Sequence, residues 1–249
     1  MELTTVLLIA GAAFLVAGTI KGIAGIGLPT ASIALMTLVL DPRVAIALVM
    51  FPMLGSNLWQ LLRSGHLGRT ARRYGLFAVI LVLGVGSTAY ATRDASDQLL
   101  LAALGIVVLI FVLLSWRQLV PRISDRFDNA AQIGFGAFAG VIGGMTAAWA
   151  PPMAMYLSAK GVDKDEFVRA TGFMITVGSV PLVVAYINLG FMNGTLAGVS
   201  AAMLVPTLLG FSIGEAIRAR MSPENFRTAI LILFAVLGLN LLRRAIWYA

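Results

Sequence analysis

Apolar residues fill this chain in ten runs, at 3–21, 29–40, 44–62, 74–92, 98–116, 130–149, 151–159, 167–187, 195–217 and 225–242, with only short charged loops between them. A helix rises about 1.5 Å per residue and a bilayer core is about 30 Å thick, so most of these runs are long enough to cross it. Two are not. Pro29–Leu40 reaches about 18 Å as a helix and Pro151–Ala159 about 14 Å. Both begin at a proline just after a Gly- or Ala-rich stretch. Proline suits the first turn of a helix, where its missing N–H removes no bond.

The balance of residues excludes the other classes. Charged residues make up 12% of the chain and hydrophobic residues 59%, against about 25% charged in a soluble domain. Mean hydropathy is +0.94. Disorder requires the opposite composition, and a barrel would show short alternating strands rather than long apolar runs. The sequence therefore predicts an all-α polytopic membrane protein. The formal net charge is +7. Its basic residues lie between apolar runs, so they read as membrane orientation rather than nucleic-acid binding. With no Cys and one His, the sequence predicts no disulfide, metal site or cofactor. The N-terminus carries Glu2 and no Lys or Arg, so the first run reads as a mature helix rather than a signal peptide.

The two short runs fall at matching places. Gly18-Thr-Ile-Lys21-Gly22-Ile-Ala-Gly25-Ile-Gly27-Leu-Pro29 lies over Gly140-Val-Ile-Gly143-Gly144-Met-Thr-Ala147-Ala-Trp149-Ala-Pro151, an offset of 122 residues. This predicts one integral membrane domain of two homologous repeats, 1–118 and 129–249, joined by a cytoplasmic linker at 119–128. The loops at 63–73, 117–128, 160–169 and 218–224 carry twelve Lys and Arg; the other ends carry four, Arg43, Arg93, Arg243 and Arg244. The positive-inside rule makes the four basic loops cytoplasmic and puts both termini on the periplasmic side. Each half is then a long helix, a short returning helix and three spans. A hairpin returns to its own side and three spans change sides, so the second half is inverted relative to the first. Gly22, Pro29, Gly144 and Pro151 mark the expected breaks in these re-entrant hairpins, whose tips are expected to approach each other within the membrane. Inverted repeats with interrupted helices are a layout of secondary transporters.

At these hairpins the sequence resembles the TauE/SafE family of sulfite exporters, also called TSUP. The resemblance covers nearly the whole chain. It rests on Lys21-Gly-Ile-Ala-Gly-Ile-Gly-Leu-Pro29, on Gly143-Gly-Met-Thr-Ala-Ala-Trp-Ala-Pro151, and on four helix units in each half. Lys21 is similar to one branch of the family, and Ala147-Ala148-Trp149 stands where the family pattern often has glycines. The resemblance implies a transporter in a bacterial cytoplasmic (inner) membrane that moves small sulfur-containing anions such as sulfite or organosulfonates.

The residues themselves point to an anion. A broken helix frees backbone N–H groups where hydrocarbon offers no water. Its N-terminus also carries about half a positive charge, and an anion satisfies both. The N–H groups near Gly25, Gly27, Leu28 and Thr30 are candidates in the first half and those near Ala147, Ala148 and Trp149 in the second; Thr146 stands on the same hairpin, and Trp149 is placed to shape or gate the cavity. Lys21 stands before the first break, with no acid near it along the chain to pair with locally; a buried ammonium calls for a counter-charge or a polar cavity. Its other reading is a lysine that snorkels to the interface. Asn57 and Ser179 add donors on otherwise apolar helices, while Gln60 reads as an interhelical hydrogen bond. Glu215 is the clearest acid in a span and a possible coupling residue, although Arg218 lies one turn on as a structural partner.

Rival functions lack their motifs. The one His lies in a loop, and no Gly-x-Ser-x-Gly, His-Glu-x-x-His or Walker sequence occurs. The sequence thus predicts no enzyme and no ATP-driven pump. It predicts a secondary transporter that exports a small anion by rocking one half against the other; an anion channel, or a carrier of another small anion such as a carboxylate, shares the same polar core. The expected partners are the small anionic substrate and membrane lipid, with no nucleic acid; the sequence does not specify an oligomeric state.

Overall fold

The computed structural model describes residues 3–117, 122–220 and 222–247. Part of the expected linker, 119–121, lies outside them, as does Glu2. Eleven α-helices follow in order: α1 Leu3–Ala24, α2 Leu28–Met36, α3 Pro42–Ser64, α4 Leu67–Ala91, α5 Asp97–Trp116, α6 Asp128–Thr146, α7 Ala150–Lys160, α8 Lys164–Asn188, α9 Gly194–Ala202, α10 Leu204–Arg218 and α11 Pro223–Trp247. No strand occurs among the described residues. Among the described residues six stretches are long and apolar enough to cross a membrane: Leu7–Ala24, Pro42–Arg63, Leu67–Ala91, Asp97–Trp116, Asp165–Asn188 and Gly194–Arg218. The all-α polytopic architecture read from the sequence is the one observed. Large aliphatic side chains such as Leu83, Leu113, Leu209 and Leu239 face outward, where lipid would meet them.

Local chemistry sets the element ends. Ser96, Asp163 and Asn193 cap α5, α8 and α9 by accepting the N–H of Leu99, Glu166 and Leu196. Such caps satisfy N–H groups that no helical carbonyl can reach. Pro29 and Pro151 sit in the first turns of α2 and α7. Proline inside a helix removes one bond to the carbonyl four residues earlier. Pro206 does this to Ala202, where α9 ends, so the apolar run 195–217 is two stacked helices, parted at Met203. Pro52 does the same inside α3. There the Ser200 hydroxyl donates to the freed Leu48 carbonyl at 2.9 Å and accepts from the Phe51 N–H at 3.2 Å. A neighbouring hydroxyl is how a membrane helix tolerates such a break.

Helices α1 and α10 pack along each other, as do α4 and α6. Glycines let backbone touch backbone in both seams. A Cβ on Gly210 would lie 2.1 Å from the Leu15 carbonyl oxygen, and one on Gly22 2.2 Å from that of Phe211. In the other seam Gly84 and Gly140 face each other, each with the partner's Cα within 2.9 Å of a built Cβ. Helices α3 and α8 pack together in the interior, and α5 packs on α11.

The charged loops gather at one end. Arg73 pairs with Glu166 at 2.6 Å, Lys160 with Asp125 at 2.7 Å and with Asp128 at 3.3 Å, and Arg63 approaches Glu215. Hydrogen bonding to Lys160 holds the Asp125 carboxyl below the usual carboxylate range. The Lys160–Asp128 contact joins the last residue of α7 to the first of α6, so this helix pair leaves the protein at the end where it enters. At the opposite end Arg43 donates to the Ala95 carbonyl at 2.6 Å and lies over Phe191.

Candidate functional site

The first break falls at Gly25–Gly27, which adopt φ of +76° and +98°. That left-handed backbone is open to glycine and strained for other residues. Gly22, expected at the break, lies one turn earlier inside α1 and serves the α10 seam. Likewise Gly144 lies inside α6 against α4, and its helix ends at Ala147, φ +59°. Gly25 and Ala147 are separated by the same 122 residues as the aligned hairpins. Both helices therefore end on a left-handed residue at the corresponding place, even where that residue is alanine.

The N–H of Gly25 returns to the Lys21 carbonyl, and that of Ala31 to Gly27. Among the described residues no partner is recorded for the N–H groups of Ile26, Gly27, Leu28 and Thr30. Thr30 is fully buried and its hydroxyl oxygen is unpartnered. Thr146 and Ser179 differ: each donates to the carbonyl four residues back, at 2.8 Å and 2.6 Å. Pro29 and Pro151 hold the first turns of the two short helices.

Lys21 is 1% exposed. Its Nζ donates to Asn57 Oδ1 at 2.5 Å and lies 5.9 Å from the Phe211 ring centre. No carboxylate among the described residues pairs with it. A buried ammonium held by one neutral amide and a ring is electrostatically incomplete. Asn57 also donates to Met53, which fixes the amide so that its oxygen points at Lys21.

A cavity of about 210 Å³ opens at the basic end, and its lining residue Phe211 is the ring near Lys21. Gly25, Gln60, Val168 and Phe211 line it, and Trp59, Arg63, Glu215 and Arg218 stand around it. Gln60 donates to the Val168 carbonyl at 2.8 Å, the interhelical bond expected of it, and its Oε1 is unpartnered. Glu215 lies 3.6 Å from both Arg218 and Arg63. Arg63, Trp59 and Phe211 were missed in the sequence. The signal was there for Arg63: Asn57, Gln60 and Arg63 are three residues apart and share one face of α3.

The indole of Trp149 is 1% exposed, with Nε1 unpartnered. It covers Gly143 and approaches Gly178 of α8. At the 122-residue offset Gly143 aligns with Lys21. The Gln60 amide and the Asn57 backbone carbonyl lie close to Gly172 of α8. Six residues, about 9 Å along a helix, separate that level from Gly178. Among the described residues no three His, Cys, Asp or Glu side chains gather for a metal ion.

The sequence model of the family described as Sulfite exporter TauE/SafE matches residues 10–241. The chain belongs to the TauE/SafE family. That places it among membrane transporters rather than enzymes. No similar chain was found among curated proteins or among solved structures.

Proposed function

We propose that this TauE/SafE protein is a secondary transporter that exports a small sulfur-containing anion, sulfite or an organosulfonate, across a bacterial inner membrane. The observation that carries the reading is Lys21, a buried ammonium whose recorded partners are one neutral amide and one ring. An anion supplies the missing charge. The unpartnered N–H groups of the first tip and the Thr30 hydroxyl supply donors for its oxygens. The Trp149 N–H offers a further donor.

Two inverted repeats, 1–118 and 129–249, account for the order of a long helix, a short helix and further long helices, met twice along the chain. With the basic loops in the cytoplasm, the cavity faces the cytoplasm and the termini face the periplasm. The anion enters beside Gln60, reaches Lys21, and leaves once the site opens to the other side. A membrane potential negative inside favours efflux by about 2.3 kcal/mol per charge per 100 mV, so export needs no coupled ion.

Efflux of labelled sulfite and of sulfonates from proteoliposomes tests this. Saturable, carrier-rate flux is expected. Zero flux for every anion overturns the reading, and single-channel currents far above carrier turnover replace it with a channel.

A further inference from the structure

The cavity mouth holds two guanidinium groups and one carboxylate. Arg63 ends the polar face of α3, and Arg218 lies one turn beyond Glu215 on α10. Both arginines approach Glu215 at 3.6 Å, beyond the 2.6 Å and 2.7 Å of the Arg73–Glu166 and Lys160–Asp125 pairs at the same end. Charge-assisted hydrogen bonds in full contact run about 2.7–2.9 Å. Glu215 is therefore attracted by both arginines without being bonded to either. The Trp59 ring lies 5.7 Å from the Arg63 guanidinium and supports it beside the cavity. Gln60 and Phe211 line the same cavity, and the Phe211 ring centre lies 5.9 Å from Lys21 Nζ.

We propose that Arg63 and Arg218 form a recruitment subsite for a small oxyanion, and that Glu215 is a tethered competitor which the incoming anion displaces. Guanidinium forks match paired oxygens, whether of sulfite, a sulfonate or a carboxylate. While Glu215 lies between the arginines, the mouth carries one net positive charge. When the carboxylate swings out, two cations face the anion. The docked anion then has a short path past Gln60 to Lys21. This inference rests on the transport reading above and adds to it a site ahead of the buried ammonium. It also gives Glu215 a part that involves no proton.

The test is sulfite efflux from proteoliposomes loaded over a range of concentrations, with the intact protein. Glu215→Gln should lower KM about three-fold to five-fold, the scale of a partly exposed ion pair, and Glu215→Ala should act in the same direction. Arg63→Gln and Arg218→Gln should each raise KM with maximal flux within about twofold, and the KM of the wild type should rise with salt. In the Arg63→Gln, Arg218→Gln background, Glu215→Gln should have no effect. A KM for Glu215→Gln that is unchanged or raised overturns the proposal, as does a gain that persists without the arginines. Wild-type flux and its loss in Lys21→Met are measured alongside. If these hold while KM ignores Glu215, the subsite fails and the transport reading stands; if wild-type flux is absent, the transport reading fails first.

Discussion

Replacing Lys21 by methionine should stabilise the protein and abolish transport together. Methionine keeps an unbranched side chain, one atom shorter, and removes the charge. The ammonium is 1% exposed, and desolvating such an ion costs several kcal/mol. Against this stand one hydrogen bond to a charged donor, about 1.5–3 kcal/mol, and a cation–π contact of about 2 kcal/mol at most. The substitution leaves Asn57 Oδ1 unsatisfied, a loss of about 1–3 kcal/mol. These opposing terms come close to the desolvation cost, and with that cost at its upper end the balance favours the variant by about 1 kcal/mol. A chain of this size shifts Tm by about 2–4 °C per kcal/mol, so a rise of about 2–4 °C is expected in mild detergent. Adding Asn57→Leu should raise it further, while Asn57→Leu alone should lower it by stranding the ammonium. Sulfite at a hundred times its Kd should stabilise the wild type by about 2.7 kcal/mol and the variant not at all. A lower Tm with flux intact would refute the reasoning and make Lys21 a structural brace.

Gly214→Ala would put a Cβ 2.1 Å from the Thr19 carbonyl; yield and Tm should collapse, whereas Gly134→Ala, with nothing within 4 Å, should leave both unchanged. Trp149→Phe removes an N–H with no recorded partner, so Tm should change little while sulfite flux falls; Trp149→Ala should cost about 3–5 kcal/mol through the cavity it leaves. Because Lys160 holds the Asp125 carboxyl low, the stabilisation from that pair is present above about pH 4 and is lost as pH falls through the lowered value. Thermal melts of wild type and Asp125→Asn should accordingly differ near neutral pH and converge in acid.

The fold class was legible because span length and proline position are local. The runs 29–40 and 151–159 foretold α2 and α7, and Pro29 and Pro151 lie in the expected first turns. Partnerships across the chain were not legible. Nothing in the sequence ties Lys21 to Asn57, 36 residues away, or reserves the backs of Gly22 and Gly144 for α10 and α4. Glycine before a proline reads equally as a break and as a packing surface; the neighbouring helix decides, and here it makes both of them packing surfaces. The parting at Met203 was hidden because hydropathy continues smoothly across Pro206. Arg63 was read as an orientation charge, which any loop arginine satisfies, and Arg218 also as a structural partner of Glu215. Only their convergence on one carboxylate beside the cavity gives them a further role.

The two glycine seams constrain which pieces can travel together. Each welds the hairpin helix of one half to a span of the other, α1 to α10 and α6 to α4. Sliding the N-terminal half past the C-terminal half would have to tear both, against contacts in which carbonyl meets Cα. If the protein moves as rigid blocks, each would be a composite drawn from both halves, bending at the non-helical Gly25–Gly27, Ala147–Trp149 and Met203. Since either block would own one hairpin helix, unlocking one face would oblige the other to shut, and the two faces would be geared by backbone contact rather than by a switch at the site.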